Sequence, residues 1–393
     1  MLEKKFEIIV KTLYGLENIV AKEIKDFGLS EIEMGNRFVR CFTDLEHLYK
    51  LNLALSTALR ILIPIKSFTA KNEENLYAQI KKIDWQKFLT VKQTFSIESV
   101  VNSKYFKHSK YAALKCKDAI ADYFRSKENQ RPSVDTKDPD LKIQLHISQS
   151  ECTILLDSSG DSLHKRGYRL DKNPAPLNEI LAAGMLRITK LADKESINEK
   201  KILIDPMCGS GTIPIEAAFL STNTPPCLNR NNFNFMKWKN FNPVLFNIVK
   251  KELEQKICKP KFKISASDIS LESIRISRQN IRRAGFTEII ELEKKDFFKS
   301  TNSYTNGIII MNPPYGERLK IEDAKNFYKL IGNKFKTDFQ NFSAWVISSN
   351  FEALKFLGLK PSKKIVLFNG PLECKFQKYE LYSGSKKRKK NTD

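Results

Sequence analysis

The sequence has none of the cysteine and histidine patterns that mark metal-binding or disulfide-stabilised proteins. Its seven cysteines are an odd number, none forms a Cys-x-x-Cys pair, and the four histidines do not cluster beside them. These absences argue against a disulfide framework and against a structural zinc site. We therefore predict reduced thiols and no bound metal.

The chain also lacks long hydrophobic runs. No stretch approaches the roughly 18 uninterrupted apolar residues that a membrane-spanning helix requires. Residues 1–6 contain no long apolar run with a small-residue cleavage site, so the sequence predicts no signal peptide. We expect a cytoplasmic protein with no membrane partner.

Acidic residues are also in short supply. The 393 residues include 67 Lys and Arg but only 45 Asp and Glu, which gives a formal net charge of +22. A field of this sign attracts polyanions, and nucleic acid is the commonest of them. With 41% hydrophobic residues, the chain is long enough to form two or three domains.

A turn of small residues follows a short apolar strand and precedes an Ala-rich helix. Gly209 and Gly211 allow a ligand to lie against the main chain, and Thr212 is placed to cap the helix. No Lys follows Gly211, as a phosphate-binding loop requires, and Pro214 replaces the third small residue of a dinucleotide-binding turn. Asp205, which ends the strand, instead favours a cofactor with a cationic amino-acid portion, such as S-adenosylmethionine. The alternative is an ordinary strand-to-helix turn.

The order of predicted elements divides the chain into segments. The first has the strand-helix-strand-strand-helix-strand order of a ferredoxin-like domain. The predicted segments are a ferredoxin-like domain at 1–65, a second α+β unit at 66–157, a linker at 158–176, an α/β domain with a parallel sheet at 177–384 and a basic, disordered tail at 385–393. Residues 221–260 form an excursion of unassigned role, rich in Asn, Pro and aromatic residues, within the α/β domain.

Two groups of basic residues are candidate nucleic-acid contacts. The first stands among aromatic residues where a predicted strand passes into a helix, and its members are Lys104, Lys107 and Lys110. This mixture suits phosphate binding and base stacking, and it is equally consistent with a solvated basic loop. The second group lies in the linker beside the α/β domain and contains Lys165, Arg166 and Arg169. These charges either contact substrate or are merely exposed.

Polar residues follow successive strands of the predicted parallel sheet. The second strand ends in Asp268 and Ile269, and a carboxylate there suits the hydroxyls of a ribose. The alternative is that Asp268 caps the next helix. The third strand leads to Asp296 and Phe297, which suit the amino group and the face of an adenine, and the fourth leads to Asn312. Because parallel strands share a carboxyl edge, we expect these groups at one ligand-binding edge.

The segment from Asn312 to Tyr315 carries the most specific chemistry. Pro313 and Pro314 have no N–H groups, so the carbonyls around them are free to accept hydrogen bonds from something other than a strand. The Asn312 side-chain oxygen and the Pro313 carbonyl are placed to accept the two protons of an exocyclic amine on a base. That arrangement aims the nitrogen lone pair at a sulfonium methyl group. Tyr315 is placed to stack on an extruded base.

This segment resembles the Asp/Asn-Pro-Pro-aromatic motif of the class I S-adenosylmethionine-dependent amino-methyltransferases. Longer stretches are similar to the THUMP-domain RNA methyltransferases, in particular the bacterial enzymes that methylate guanine N2 in large-subunit ribosomal RNA. These stretches are 107–125, 164–169 with 174–185, 205–212 and 312–319. The resemblance covers nearly the whole chain, although Cys227 stands where we would expect Gly in the family's insert.

The resemblance implies a Rossmann-like class I methyltransferase domain preceded by ferredoxin-like and THUMP α+β domains, with the THUMP domain at 66–157 presenting structured RNA. The part of the cofactor derived from methionine is expected at Asp205, Cys208, Gly209, Gly211 and Thr212. The ribose is expected at Asp268 and Ile269, the adenine at Asp296 and Phe297, and the target amine at Asn312, Pro313, Pro314 and Tyr315. Arg318, in the same stretch as the last group, is a further candidate RNA contact.

The predicted function is methyl transfer from S-adenosylmethionine to the exocyclic N2 of a guanine in 23S rRNA. A tRNA guanine-N2 methyltransferase is the first alternative. Adenine-N6 DNA and glutamine-N5 protein methyltransferases use a similar loop, but a protein enzyme needs no basic RNA platform, and a DNA enzyme usually has a target-recognition region that we do not find. An RNA-binding assembly factor with an inactive pocket is disfavoured by the intact segment 312–315.

Overall fold

A computed structural model describes residues 4–169, 177–193, 202–314 and 321–382. The chain forms two units. The first contains residues up to 13, 17–165 and 225–255, and the second contains residues 14–16, 166–224 and those from 256 onward. Of the helices in the described ranges, none combines the length and apolar character that crossing a bilayer would need.

The strands are β1 (Phe6–Lys11), β2 (Glu33–Gly35), β3 (Phe38–Thr43), β4 (Arg60–Thr69), β5 (Thr94–Asn102), β6 (Ser133–Val134), β7 (Leu141–Ser148), β8 (Glu151–Asp157), β9 (Ile202–Asp205), β10 (Lys263–Asp268), β11 (Ile290–Lys294), β12 (Gly307–Met311), β13 (Phe342–Ser348), β14 (Lys363–Asn369) and β15 (Leu372–Glu380). The α-helices are α1 (Glu17–Asp26), α2 (Leu45–Ala54), α3 (Glu73–Lys81), α4 (Ser109–Glu128), α5 (Glu179–Ile188), α6 (Thr212–Thr222), α7 (Pro243–Gln255), α8 (Leu271–Ala284), α9 (Ile321–Asp338) and α10 (Phe351–Lys355).

Strands from both predicted N-terminal segments form one sheet in the first unit. Among the described residues its order is β2-β3-β1-β4-β8-β7-β5-β6. The boundary predicted between residues 65 and 66 falls inside β4, which pairs antiparallel with β1 and with β8. Ile9 lies opposite Leu62, and Ile63 lies opposite Leu156. Because β4 is hydrogen-bonded on both sides, the two predicted α+β segments are continuous through this strand.

The excursion between α6 and β10 completes the core of the first unit. Phe235 and Phe246 are buried in the same hydrophobic cluster as the side chains of α2. Tyr49 on α2 has its ring centroid 4.7 Å from that of Phe235 and 5.6 Å from that of Phe246. Residues 225–255, including the unanticipated helix α7, therefore belong to the first unit, whereas the sequence predicts them within the segment 177–384. Their aromatic residues are core residues of the preceding half of the chain.

The second unit contains a mostly parallel sheet. Its order among the described residues is β11-β10-β9-β12-β13-β15-β14, in which the first five strands are parallel and β15 is antiparallel to both neighbours. Strands β9 and β12 are buried along their whole lengths, as expected for central parallel strands. The chain order reverses at β9, because β10 and β11 follow on one side and β12 and β13 on the other. Sheets of this kind bind ligands outside the carboxyl ends of the strands at the reversal.

Helix α6 begins differently from the prediction. Its N-cap is Gly211, which has a left-handed backbone conformation with φ of +81°, and no described side chain caps the helix. Thr212 is the first helical residue rather than the cap. Its hydroxyl instead accepts a hydrogen bond from Nη2 of Arg169. A capping side chain has to precede the helix in extended conformation, so the position of Thr212 excludes that role.

Candidate active site

The two glycines of the turn after β9 serve different purposes. Both have positive φ, +55° at Gly209 and +81° at Gly211, a conformation that favours glycine. A Cβ added to Gly211 would lie 3.1 Å from the Ser277 hydroxyl, whereas one added to Gly209 would meet nothing within 4 Å. Gly211 thus permits close packing against α8. Gly209 borders open space in which a ligand has room to approach the main chain.

Two buried side chains of α8 hold this turn, and neither is among the site residues predicted from the sequence. Ser277 Oγ donates to the Gly209 carbonyl at 2.6 Å, and Asn280 Nδ2 donates to the Ser210 carbonyl at 2.9 Å. Both residues are fully buried. Their spacing is the sequence feature that could have identified them, because two small polar residues, three positions apart, interrupt the apolar face of an amphipathic helix.

Asp268, at the end of β10, bonds to the glycine turn. Its Oδ2 accepts from the Gly209 N–H at 2.9 Å, and its Oδ1 accepts from the Ser270 N–H at 2.9 Å. The cap of α8 is Ser270, whose hydroxyl accepts from the Ser273 N–H at 3.2 Å. The alternative that Asp268 caps this helix is therefore wrong. Each carboxylate oxygen can still accept a further hydrogen bond. The neighbouring Ile269 is 64% exposed.

Asp205 is a buried carboxyl group with one unused oxygen. Its Oδ1 accepts from the Met207 N–H at 3.3 Å, and its Oδ2 has no hydrogen-bond partner among the described residues. Burial raises the pKa of Asp205 well above its ordinary value; the charge of Asp268 adds to the rise and the bond from Met207 opposes it. Such a group is stabilised by a cationic ligand, because a buried carboxylate needs a charge partner. This observation fits the ammonium of an amino-acid-bearing cofactor.

The environment of Cys208 disfavours a role as a nucleophile. The residue is buried, and burial together with the charges of Asp205 and Asp268 raises the pKa of its thiol well above the ordinary value. The thiolate is the reactive form of cysteine, so this environment disfavours reaction of the thiol. Cys208 contributes its backbone instead, since its N–H donates to the Ser267 carbonyl at 2.9 Å and joins the turn to β10.

Asn312 follows the last residue of β12 and presents a buried acceptor. Its side-chain Oδ1 is buried and has no hydrogen-bond partner in the described part of the chain. Pro313 is buried and Pro314 is half-buried. Since β12 is adjacent to β9, this acceptor lies at the same carboxyl edge as Asp205. Tyr315 and Arg318, also predicted for this site, lie outside the described residues.

The predicted adenine contacts are only partly arranged as expected. Asp296 is half-buried, and its Oδ1 accepts from the Phe298 N–H at 3.0 Å. The Phe297 side chain is buried in the core, where its ring stacks on Phe339 with centroids 5.9 Å apart. Because the ring is buried and already stacked on Phe339, it is not available to an adenine. The predicted stacking of Phe297 on adenine is therefore wrong. Phe298 is the half-buried aromatic residue beside Asp296.

Arg166 and Arg169 are not the exposed RNA contacts that the sequence analysis predicts. The Arg166 side chain is 0% exposed and its Nε lies 3.6 Å from Oε1 of Glu216, while Arg169 is 13% exposed and its Nη1 lies 3.2 Å from Oε1 of Glu179. Both guanidinium groups are committed to buried carboxylates, so neither is available to a phosphate. Lys165, by contrast, is 59% exposed and pairs with Asp161 at 3.2 Å.

The other basic candidates are in the first unit. Lys104, Lys107 and Lys110 are exposed, and Lys104 Nζ lies 5.2 Å from the centre of the Tyr105 ring. RNA contact by these lysines stays a prediction. Among the described residues no group of three or more His, Cys, Asp or Glu side chains is arranged to hold a metal ion, and the absence of a metal likewise stays a prediction.

The strand order and the polar ends of β9, β10 and β12 at one sheet edge define a class I methyltransferase domain. Methyltransferases of this class use S-adenosylmethionine as the methyl donor, which agrees with the predicted cofactor. Residues 166–378 match the RMKL-like methyltransferase domain, 70–157 match the THUMP domain and 7–62 match the RlmL ferredoxin-like domain. The chain therefore belongs to the RMKL-like methyltransferase family, and the predicted fold class is confirmed.

Individual relatives agree with this membership. Ribosomal RNA large subunit methyltransferase K/L of Shewanella frigidimarina is 35% identical over 381 residues, which is 95% of this chain and 52% of that protein. The chain thus spans about half the length of the curated relatives it matches. SMU.472, described as a methyltransferase and crystallised with SAH, has a TM-score of 0.87 at 26% identity and covers 98% of this chain and 100% of its own. A protein of Clostridium difficile 630 described as a methylase has a TM-score of 0.86 at 33% identity, with 97% and 100% covered.

Proposed function

We propose that this chain methylates the exocyclic N2 of a guanine in 23S rRNA, with S-adenosylmethionine as the methyl donor. The observation that carries the proposal is the buried Oδ1 of Asn312, just beyond the carboxyl end of β12, which has no hydrogen-bond partner among the described residues. A buried polar atom without a partner is costly, and an amine proton of the substrate would satisfy it. The acceptor also lies next to the strand that leads into the glycine turn.

The residues at this edge suit the cofactor. Asp205 would pair with the ammonium, the main chain at Gly209 would lie against the amino-acid portion, and Asp268 would accept from the ribose hydroxyls. Asp296 would accept from the adenine amino group, and the exposed Ile269 offers an apolar surface beside Asp268. When bound, S-adenosylmethionine supplies an electrophilic methyl group on a positively charged sulfur.

Asn312 orients the nucleophile in this proposal. Its Oδ1 and the Pro313 carbonyl would accept the two N–H groups of the target amine, so that the nitrogen lone pair faces away from them. The nitrogen would gain positive charge as its bond to the methyl carbon forms and the bond from that carbon to sulfur breaks, and these two oxygen dipoles would stabilise that charge without having to reorient. The nitrogen would then release one proton to solvent. Alignment and electrostatics are thus the two contributions of the chain to the rate.

The choice of RNA as the substrate class has separate support. The curated relative named above is a ribosomal RNA large subunit methyltransferase, residues 70–157 match a THUMP domain, and the chain has a net charge of +22. A positive field of this size favours a polyanionic substrate. The position of the amine, guanine N2, rests on the sequence resemblance together with the Asn312 acceptor.

Alanine at position 268 should weaken cofactor binding. The change removes the proposed ribose acceptor and the bond from Gly209 N–H, and hydrogen bonds to a charged group contribute about 1.5–3 kcal/mol. We expect the dissociation constant of S-adenosylhomocysteine, measured by calorimetry, to rise by about 10- to 150-fold. Ser270→Ala is the matched control, because it removes the actual helix cap and leaves Asp268 in place. Unchanged affinity in a folded Asp268→Ala protein would contradict the assignment.

Glutamine at positions 104, 107 and 110 together should weaken RNA binding and its salt dependence. If each lysine neutralises one phosphate, the slope of log K against log salt concentration becomes shallower by about 2–3. Binding of the full chain to a structured rRNA fragment at several salt concentrations measures this slope. The control carries the same charge change at three other exposed lysines of the first unit, Lys71, Lys92 and Lys127. Equal slopes in the two variants would contradict a localised RNA contact.

The proposed function is tested by asking which polymer accepts the methyl group. The full chain is incubated with radiolabelled S-adenosylmethionine and with rRNA, tRNA, duplex DNA or protein from cells that lack the corresponding gene. We expect label in 23S rRNA, with N2-methylguanosine identified by nucleoside mass spectrometry. Label in tRNA would contradict the rRNA assignment and support a tRNA guanine-N2 methyltransferase instead. Methyladenine in DNA or methylglutamine in protein would refute the RNA assignment.

A further inference from the structure

We propose that Arg169 is a positioning residue for the cofactor, and that the segment Arg166–Arg169 sets the position of the start of α6. The inference rests on the proposed cofactor. Three acceptors surround the Arg169 guanidinium: Nη2 donates to Thr212 Oγ1 and, at 3.2 Å, to the Leu177 carbonyl, and Nη1 lies 3.2 Å from Oε1 of Glu179. These acceptors belong to the starts of α5 and α6, so one side chain joins the two helix ends.

The position of Thr212 connects this contact to the cofactor site. Thr212 is the first residue of α6 and directly follows Gly211. The same turn contains Gly209, whose N–H bonds to Asp268 and whose open side borders the proposed cofactor. A shift of Thr212 therefore moves the main chain that lies between the proposed ammonium and ribose sites. Arg169 itself is not required to touch the cofactor.

A guanidinium at this place is electrostatically unusual. The N-terminal ends of helices carry partial positive charge, which disfavours a cation nearby. Glu179, in the first turn of α5, supplies the compensating carboxylate. The planar fork of arginine can reach several acceptors at once, whereas a lysine ammonium is a compact charge on a flexible stem. The arrangement thus favours arginine because of its geometry as well as its charge.

A second contact fixes the next turn of the same helix. Tyr168 donates its hydroxyl to Oε1 of Glu216 at 3.1 Å, and Arg166 Nε lies 3.6 Å from the same oxygen. Glu216 is four residues beyond Thr212, so the two side chains occupy one face of α6. Burial raises the pKa of Glu216 to about 7, and the charge of Arg166 opposes the rise. The segment therefore holds α6 at two successive turns.

The test compares Arg169→Met and Arg169→Lys in the full chain, with Arg278→Met, an exposed arginine of α8, as the control. We expect Arg169→Met to raise the calorimetric dissociation constant of S-adenosylhomocysteine about tenfold, equivalent to about 1.4 kcal/mol. Arg169→Lys should restore only part of this affinity, and Arg278→Met should bind as the wild type does. With saturating cofactor, kcat and the KM for RNA should stay close to wild type.

A double substitution separates positioning from direct cofactor contact. Arg169→Met and Thr212→Val remove the same hydrogen bond, so their effects on affinity should be less than additive when combined. Additive effects would overturn the inference, as would wild-type affinity in a folded Arg169→Met protein. If Arg169→Met raised the KM for RNA but left the affinity for S-adenosylhomocysteine unchanged, Arg169 would instead be an RNA contact. If Arg169→Met does not fold, unchanged affinity in Thr212→Val overturns the inference, and a wild-type chain that fails to bind S-adenosylhomocysteine overturns the proposed cofactor itself.

Discussion

Alanine at position 312 should nearly abolish methyl transfer and leave most of the cofactor affinity intact. The side chain acts on the target nitrogen as charge develops in the transition state, so its loss lowers kcat more than it affects binding. Loss of a single preorganised hydrogen-bonding group of this kind costs about 10²–10³ in kcat. The measurements are the rate of methyl transfer to rRNA and the calorimetric affinity for S-adenosylhomocysteine.

Aspartate at the same position is the matched comparison. A carboxylate still accepts hydrogen bonds from the amine, so Asn312→Asp should retain partial activity, well above the residual rate of Asn312→Ala. Equal loss in both variants would show that the amide is required for something other than accepting a hydrogen bond. Wild-type turnover by Asn312→Ala would place methyl transfer elsewhere on the sheet edge and refute the proposed site.

Alanine at position 235 should strongly destabilise the first unit. Phe235 is 1% exposed and stacks on Phe233, with ring centroids 5.1 Å apart, as well as contacting Tyr49. Removing a buried phenylalanine leaves a cavity and costs about 3–5 kcal/mol. Urea denaturation of the full chain measures the change in the free energy of unfolding, with the transition monitored by a probe in the first unit.

The control for this change is in the same excursion. Val244, on α7, is 67% exposed, and surface substitutions of this kind usually change stability by less than about 0.5 kcal/mol. Val244→Ala should therefore unfold as the wild type does. If Phe235→Ala were equally neutral, residues 225–255 would not be part of the core of the first unit. A fragment ending at residue 157 lacks this excursion, which is why RNA binding is tested on the full chain.

Local sequence patterns predicted many of the elements that form the two sheets. The strand predicted to end at Asp205 is β9, the strand predicted to end at Asp268 is β10, and the strand predicted to lead to Asn312 is β12. Hydrophobic periodicity and the positions of Gly and Pro carry this information, because both act over a few residues. The same local information placed Asp205, Asp268 and Asn312 at the ends of parallel strands.

Long-range packing determined where the aromatic side chains lie, which the local sequence patterns do not show. The aromatic residues of the excursion are recognisable in the sequence, but nothing local indicates that they pack with α2 rather than with the sheet that they interrupt. Phe297 is likewise identified as an aromatic residue after a strand, and only its stacking on Phe339 shows that the ring is part of the core. In each case the deciding neighbour is distant along the chain.

The sequence by itself determined the strand that leads to Asn312, the glycine turn after Asp205 and the excess of positive charge, because each depends on residue types at short spacing. The tertiary structure decided which of the positively charged side chains are exposed to a substrate. Arg166 and Arg169 look like Lys165 in the sequence, yet they are buried against Glu216 and Glu179 while Lys165 faces solvent. The physical reason is that the cost of burying these guanidinium groups is offset by carboxylates on α5 and α6, and the positions of those carboxylates are set by the fold.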